Sequence, residues 1–178
     1  MESGKKGMFF MDLCIALAGL WLDQFTKGLA VAHLKGQPPI VLIPGMLELR
    51  YLENRGAAFG FLQNQKAFFV VMTCLVLAFL LYALLRMPSS LQYRIFHIMG
   101  GILIAGALGN FLDRLRFDYV VDFIYIRLID FPIFNVADMY ISFICVLGLI
   151  LVFFGHMDEV DFSFLRPSVG RSKTGESK

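Results

Sequence analysis

Ala67-Phe68-Phe69-Val70-Val71-Met72-Thr73-Cys74-Leu75-Val76-Leu77-Ala78-Phe79-Leu80-Leu81-Tyr82-Ala83-Leu84-Leu85 holds no charged residue and is bounded by Lys66 and Arg86. A helix that crosses a bilayer needs about 20 mostly apolar residues, so this stretch predicts one membrane span. Three more segments meet the same requirement. The first covers residues 7–27 and carries Asp12 and Asp23 inside it; the third covers 95–114 and closes on Asp113 and Arg114. The fourth covers 138–155 and is uncharged after Asp138. Composition agrees: 58 % of the 178 residues are hydrophobic and 17 % charged, where a soluble domain has roughly 45–50 % and about 25 %. One small globule cannot hide that much apolar surface. A soluble domain, a disordered chain and a nucleic-acid binder are excluded, and a net charge of +2 carries no information about an acidic partner. The expectation is an all-α polytopic membrane protein, four transmembrane helices in a single domain over 1–178, with a small extracytoplasmic β cradle.

The β element is read from two long connections on one side, residues 28–66 and 115–135. After the Pro44-Gly45 turn, Leu47-Glu48-Leu49-Arg50-Tyr51 alternates apolar and polar as a strand does. Phe123-Ile124-Tyr125-Ile126-Arg127 is rich in β-branched and aromatic residues. The tail after Gly155 is polar and is expected to be loose. The charged N-terminus before an apolar run superficially resembles a signal peptide, but Asp23 and Lys27 follow in place of a cleavage site, so a retained first helix is expected. Four spans put both termini on one side. Basic residues divide eight against eight between the two sides, so the positive-inside rule does not orient the chain by number.

Ionisable groups are costly at membrane depth, and here they gather at the ends of the spans. Asp23 and Lys27 are spaced i, i+4 and share a face, which reads first as an ion pair. Asn110, Asp113 and Arg114 share a face of the third span; Arg114 is a natural partner for Asp113, which a helix C-terminus disfavours. Asn135 is an N-cap that puts Asp138 in the first turn of the fourth span. Asp122 lies in the loop between Asp113 and Asp138. Asp12 is expected to reach water. Gly100, Gly101, Ala105, Gly106, Ala107 and Gly109 allow close approach of helices, either within the chain or with a bound helix. Cys14, Cys74 and Cys145 read as small buried hydrophobes. His97 reads as packed or interfacial and His33 as a lone loop residue. None of the serines lies in either of these two loops, and neither G-x-S-x-G nor H-E-x-x-H occurs. If these loops carry hydrolytic chemistry, carboxylates are the main groups left. A proton-coupled transporter with Asp23, Lys27, Asp113 and Asp138 as a relay is the rival; it predicts polar residues running through the spans, which mostly lack them.

Five motifs resemble the lipoprotein signal peptidase (signal peptidase II) family: Asp23-Gln24-Phe25-Thr26-Lys27; Asn54-Arg55-Gly56-Ala57-Ala58-Phe59-Gly60; Gly106-Ala107-Leu108-Gly109-Asn110-Phe111-Leu112-Asp113-Arg114; Val120-Val121-Asp122-Phe123; and Phe134-Asn135-Val136-Ala137-Asp138. Their order on a four-span frame makes the resemblance specific. It implies a bacterial inner-membrane aspartic endopeptidase with both termini in the cytoplasm. Its substrate would be a diacylglyceryl-modified prolipoprotein, cut just before the lipidated cysteine at the extracytoplasmic face. It further implies a catalytic pair, Asp122 and Asp138, and supporting roles for Asp23, Lys27, Asn54, Gly56, Gly106, Asn110, Asp113, Arg114, Phe134, Asn135 and Ala137. No metal or organic cofactor and no nucleic acid are implied; the partners are the lipidated substrate and membrane lipid, with the enzyme a monomer. Because Asp138 falls where free helix N–H groups favour an anion, it is expected to be the ionised member and Asp122 the protonated one.

Overall fold

The computed structural model describes residues 2–56, 62, 65–154 and 160–165. Ala57, Ala58, Phe59 and Gly60 of the second motif, Gly155, and the tail at 166–178 lie outside the described residues. Four helices are long and apolar enough to cross a membrane: α1 (Glu2–Leu34), α2 (Lys66–Arg86), α3 (Arg94–Phe117) and α4 (Val136–Phe154). Their outward rows are apolar and uncovered; Leu75 is 59 % exposed and Phe153 74 %. Patches of this kind suit lipid rather than water.

The spacing of small residues explains why α3 is the central helix. A Cβ on Gly106 would stand 2.8 Å from the Ala137 carbonyl oxygen of α4, and one on Gly101 would stand 3.1 Å from Ile15 of α1. Gly100 receives Leu84 of α2, and a Cβ on Gly109 would overlap the Asp23 carboxylate. The small-residue stripe therefore serves packing among the chain's own helices.

α1 runs seven residues past its expected end. Ala30 and Leu34, one turn apart, are buried with Val121 and Phe123 beneath a sheet, and that tertiary burial holds the extension. Gly36, at φ +72°, turns the chain away. The sheet is antiparallel, ordered β1 (Ile40–Ile43), β2 (Leu47–Asn54), β3 (Val120–Ile126). β2 and β3 cover the two runs with strand character. β1 escaped the sequence reading because Ile40-Val41-Leu42-Ile43 does not alternate; it is an exposed edge strand. Pro44 and Gly45 make the turn into β2, with Gly45 at φ +73° and Met46 N–H on the Ile43 carbonyl at 3.0 Å. Glu48, at a polar position of the alternation, is buried and accepts from Arg127 at 2.7 Å.

At the other end of the bundle, two expectations change. Asp12 does not reach water; it is buried against His97, with Oδ2 2.8 Å from Nδ1. Part of the tail is packed rather than loose: Val160 and Phe164 lie against the cluster of Leu84, Met87 and Tyr93, and the Tyr93 hydroxyl donates to the Asp161 carbonyl at 2.8 Å. Cys14, Cys74 and Cys145 are exposed on the outer faces of the spanning helices rather than buried, and His33 is on α1, not in a loop.

Candidate active site

The site starts from the first turn of α4. Asn135 Oδ1 accepts the Asp138 N–H at 3.1 Å, and Asp138 Oδ2 accepts the Asn135 N–H at 3.1 Å. This reciprocal cap satisfies two orphan donors and fixes the carboxylate of Asp138. β3 brings Asp122 to the same place. Its Oδ1 accepts Asn135 Nδ2 at 2.6 Å and its Oδ2 accepts Asn54 Nδ2 at 2.8 Å. Asn110 of α3 donates to Asp138 Oδ1 at 2.7 Å and accepts from Asn135 Nδ2 at 3.1 Å. Three asparagine amides thus bind both carboxylates, with Asn135 bonded to each.

Asp122 and Asp138 face one cavity of about 450 Å³ between α2, α3, α4 and the sheet. Burial pushes the Asp122 carboxyl up to about 7, the charge of Asp138 adds to the rise, and the amides of Asn54 and Asn135 oppose it. Among the described residues no group of His, Cys, Asp and Glu side chains converges as metal ligands would.

Behind the cavity wall lies a second polar layer. Lys27 Nζ meets Asp23 Oδ2 at 2.9 Å, Asp113 Oδ2 at 3.1 Å and Asn110 Oδ1 at 2.9 Å, so its three N–H donors have three acceptors. Asp23 Oδ1 accepts the Ala137 N–H at 2.9 Å, and Asp113 Oδ2 accepts the Val121 N–H at 3.1 Å. The layer ties α1 and α3 to the first turn of α4 and to β3.

Of the residues singled out in the sequence, Asp122, Asp138, Asn54, Gly56, Asn110, Arg114 and Phe134 line the cavity. Asp23, Lys27, Asp113, Asn135, Gly106 and Ala137 are in the layer behind it. The pairing of Arg114 with Asp113 is corrected. Asp113 is held by Lys27 and by Gln24 Nε2 at 2.9 Å. Arg114 turns toward the cavity, donates to the Gly56 carbonyl at 3.3 Å and lies 4.5 Å over the Phe69 ring. The adjacent helix-end partner lost to a lysine from another helix, which spacing along one helix does not reveal. Gln24, Phe69 and Ser142 are among the contributors that sequence reasoning missed. Gln24 bonds Asp113 and the Gly109 carbonyl; its place in the first motif, one turn before Lys27, was the available signal. Phe69 and Ser142 line the cavity from α2 and α4, and for Ser142 the signal was its i+4 spacing from Asp138.

Four spanning helices, a small sheet over one end and a pair of amide-bound carboxylates in a cavity there define a membrane-embedded protein with a polar site at its helix ends. Comparison with known proteins makes the class specific. A model of the family described as Signal peptidase (SPase) II matches residues 15–154. A lipoprotein signal peptidase from Streptococcus pyogenes serotype M1 is 40 % identical over 89 % of this chain and 98 % of its own length. One from serotype M5, strain Manfredo, is 39 % identical over the same shares. Two solved bacterial membrane enzymes superpose with TM-scores of 0.70; at 32 % and 34 % identity they cover 80 % of this chain and 87 % and 92 % of their own. The chain belongs to the signal peptidase II family, a family of membrane peptidases.

Proposed function

We propose that the protein is an aspartic endopeptidase of the bacterial cytoplasmic membrane. It removes the signal peptide from diacylglyceryl-modified prolipoproteins by cutting just before the lipidated cysteine. It acts as a monomer with both termini in the cytoplasm and its sheet and site at the extracytoplasmic face. The observation that carries this reading is the convergence of Asp122 and Asp138 on one cavity at the ends of membrane helices.

Peptide hydrolysis without a covalent intermediate needs one group to take a proton from water and one to give a proton to the carbonyl oxygen. Like charges held close favour one shared proton. Asp122, pushed up to about 7, is the protonated member. Asp138, on the free N–H groups of α4, is the ionised one. Asp138 accepts a proton as water adds to the scissile carbonyl, and Asp122 donates to the oxygen that becomes a hydroxyl. As the C–N bond breaks, Asp138 returns its proton to the leaving amine, and Asp122 regains its own as the carbonyl re-forms. Arg114, Asn54 and the aromatic walls position the chain being cut.

A proton relay through the bundle has less support. The polar groups sit at two ends, Asp12 with His97 and Asp23 with Lys27. Ten residues of helix lie between Asp12 and Asp23, about 16 Å of rise; Ile15, Ala16 and Ala105 pack in that interval and the Tyr140 hydroxyl there is turned to the Gly19 carbonyl.

Purified protein should cleave a diacylglyceryl-prolipoprotein, read as a gel shift, and leave the unlipidated precursor intact. Equal cleavage of both, or of neither, would count against the reading. The pH dependence follows from Asp122. An acid that must be protonated is competent below its pKa, so kcat/KM should fall with rising pH above about 7, approaching tenfold per pH unit. A profile flat from pH 6 to 9 would remove the general-acid role of Asp122.

A further inference from the structure

We propose that Ser142 is a substrate-contact residue, whose hydroxyl donates a hydrogen bond to a carbonyl oxygen of the bound substrate below the carboxylate pair. The inference rests on the peptidase reading above and deepens it. Ser142 follows Asp138 by four residues on α4, which puts both on one face with Ser142 about 6 Å further along the axis. Both line the same cavity. From the first turn of a spanning helix, one more turn leads toward the hydrocarbon, so the cavity continues from the carboxylates into the membrane.

The second observation is what the hydroxyl does not do. A serine or threonine in a membrane helix commonly satisfies its O–H on the carbonyl one turn back. Thr73 does so on Phe69 at 2.8 Å, and Thr26 on Leu22 at 3.0 Å. Ser142 has no hydrogen-bond partner among the described residues. It is exposed, and the cavity wall it shares carries the carboxylates of Asp122 and Asp138 together with apolar Met139 of α4 and Phe69 of α2. An exposed hydroxyl with no partner in its own chain keeps its O–H free for an acceptor that enters the cavity.

The substrate brings groups of matching need. A chain must be extended to present its scissile bond, so the residues before the cut lose helical partners for their carbonyl oxygens. The lipid modification adds two ester carbonyls at the same level. Both are acceptors without donors in hydrocarbon, and Ser142 supplies one donor.

The test uses full-length detergent-solubilised protein and two precursors, one with ester-linked diacylglyceryl and one with an ether-linked dialkylglyceryl group. On the ester precursor, Ser142→Ala should lower kcat/KM about tenfold, the worth of one buried hydrogen bond. The loss should fall mainly on KM, with the pH profile unchanged. Ser142→Thr should recover activity to within about threefold, whereas Ser142→Val, of the same shape without the hydroxyl, should not. If the ester carbonyl is the partner, the ether precursor costs the wild type the same factor and Ser142→Ala adds nothing further. If a backbone carbonyl is the partner, the tenfold ratio persists on both precursors. Ser142→Ala within twofold of wild type on both precursors, or Ser142→Val matching Ser142→Thr, overturns the proposal while leaving the peptidase reading intact. A wild type that cuts no lipidated precursor overturns both.

Discussion

Asp122→Asn and Asp138→Asn are each expected to lower cleavage of a lipidated precursor by at least about 10³-fold, the scale of losing a positioned acid or base. The exchange keeps the shape of each side chain and removes its capacity to carry the proton. The surrounding amides add to the effect. Both oxygens of Asp122 accept side-chain N–H groups, from Asn135 and Asn54, and both oxygens of Asp138 accept, from Asn110 and the Asn135 backbone. An asparagine at either position sets its own NH₂ against one of these donors. Thermal unfolding of each variant therefore accompanies the assay, and the comparison is made at a temperature where both remain folded. A folded variant cutting within tenfold of wild type would remove that aspartate from the chemistry.

The second large effect is expected at Lys27, which does not line the cavity. Lys27→Met leaves Asp23 and Asp113 buried, like-charged and without their common cation. Removing one partner of a buried ionic group costs about 3–5 kcal/mol, on the order of 10 °C in the unfolding midpoint. Activity should fall as well, because Lys27 holds the Asn110 carbonyl whose amide donates to Asp138. Adding Asp23→Asn or Asp113→Asn to Lys27→Met removes one surplus charge, and part of the lost stability should return. Midpoints unchanged in Lys27→Met, or lowered further in the double variants, would contradict this account of the layer.

Much of this was legible in the residues because the membrane imposes a coarse rule. Stretches such as 67–85 leave little choice but a spanning helix, and the observed α2 adds one residue at each end. The i, i+4 spacing of Asp23 and Lys27 and the cap at Asn135 are local, and both appear with the expected partners. What stayed hidden depends on contacts distant in the chain. The helix past Lys27 exists because β3 covers Ala30 and Leu34. His97 meets Asp12 across 85 positions. Arg114 abandons its neighbour Asp113 because Lys27 and Gln24 already occupy that carboxylate. β1 has the composition of a strand without its alternation, since all four of its residues are apolar and exposed and no buried face alternates with a polar one. The same holds for the cysteines: burial was inferred from their apolar neighbours, yet in a lipid-facing row apolar neighbours mean exposure.

The arrangement of the Asp23–Lys27 pair also bears on how the chain enters the bilayer. α1 emerges from the ribosome long before Asn110, Asp113 and Ala137, the partners these two groups have in the finished protein. A lone lysine or aspartate would oppose insertion by about 2.5–3.5 kcal/mol at mid-span. One turn apart on the same helix, with Nζ 2.9 Å from Oδ2, they can neutralise each other before any other span exists. That end of the first segment is thus delivered electrically balanced, whereas Asp12 meets its partner His97 only when α3 arrives. The later helices then assemble on a polar lock that was already closed on itself, exchanging a local pairing for the shared one without exposing a bare charge to lipid.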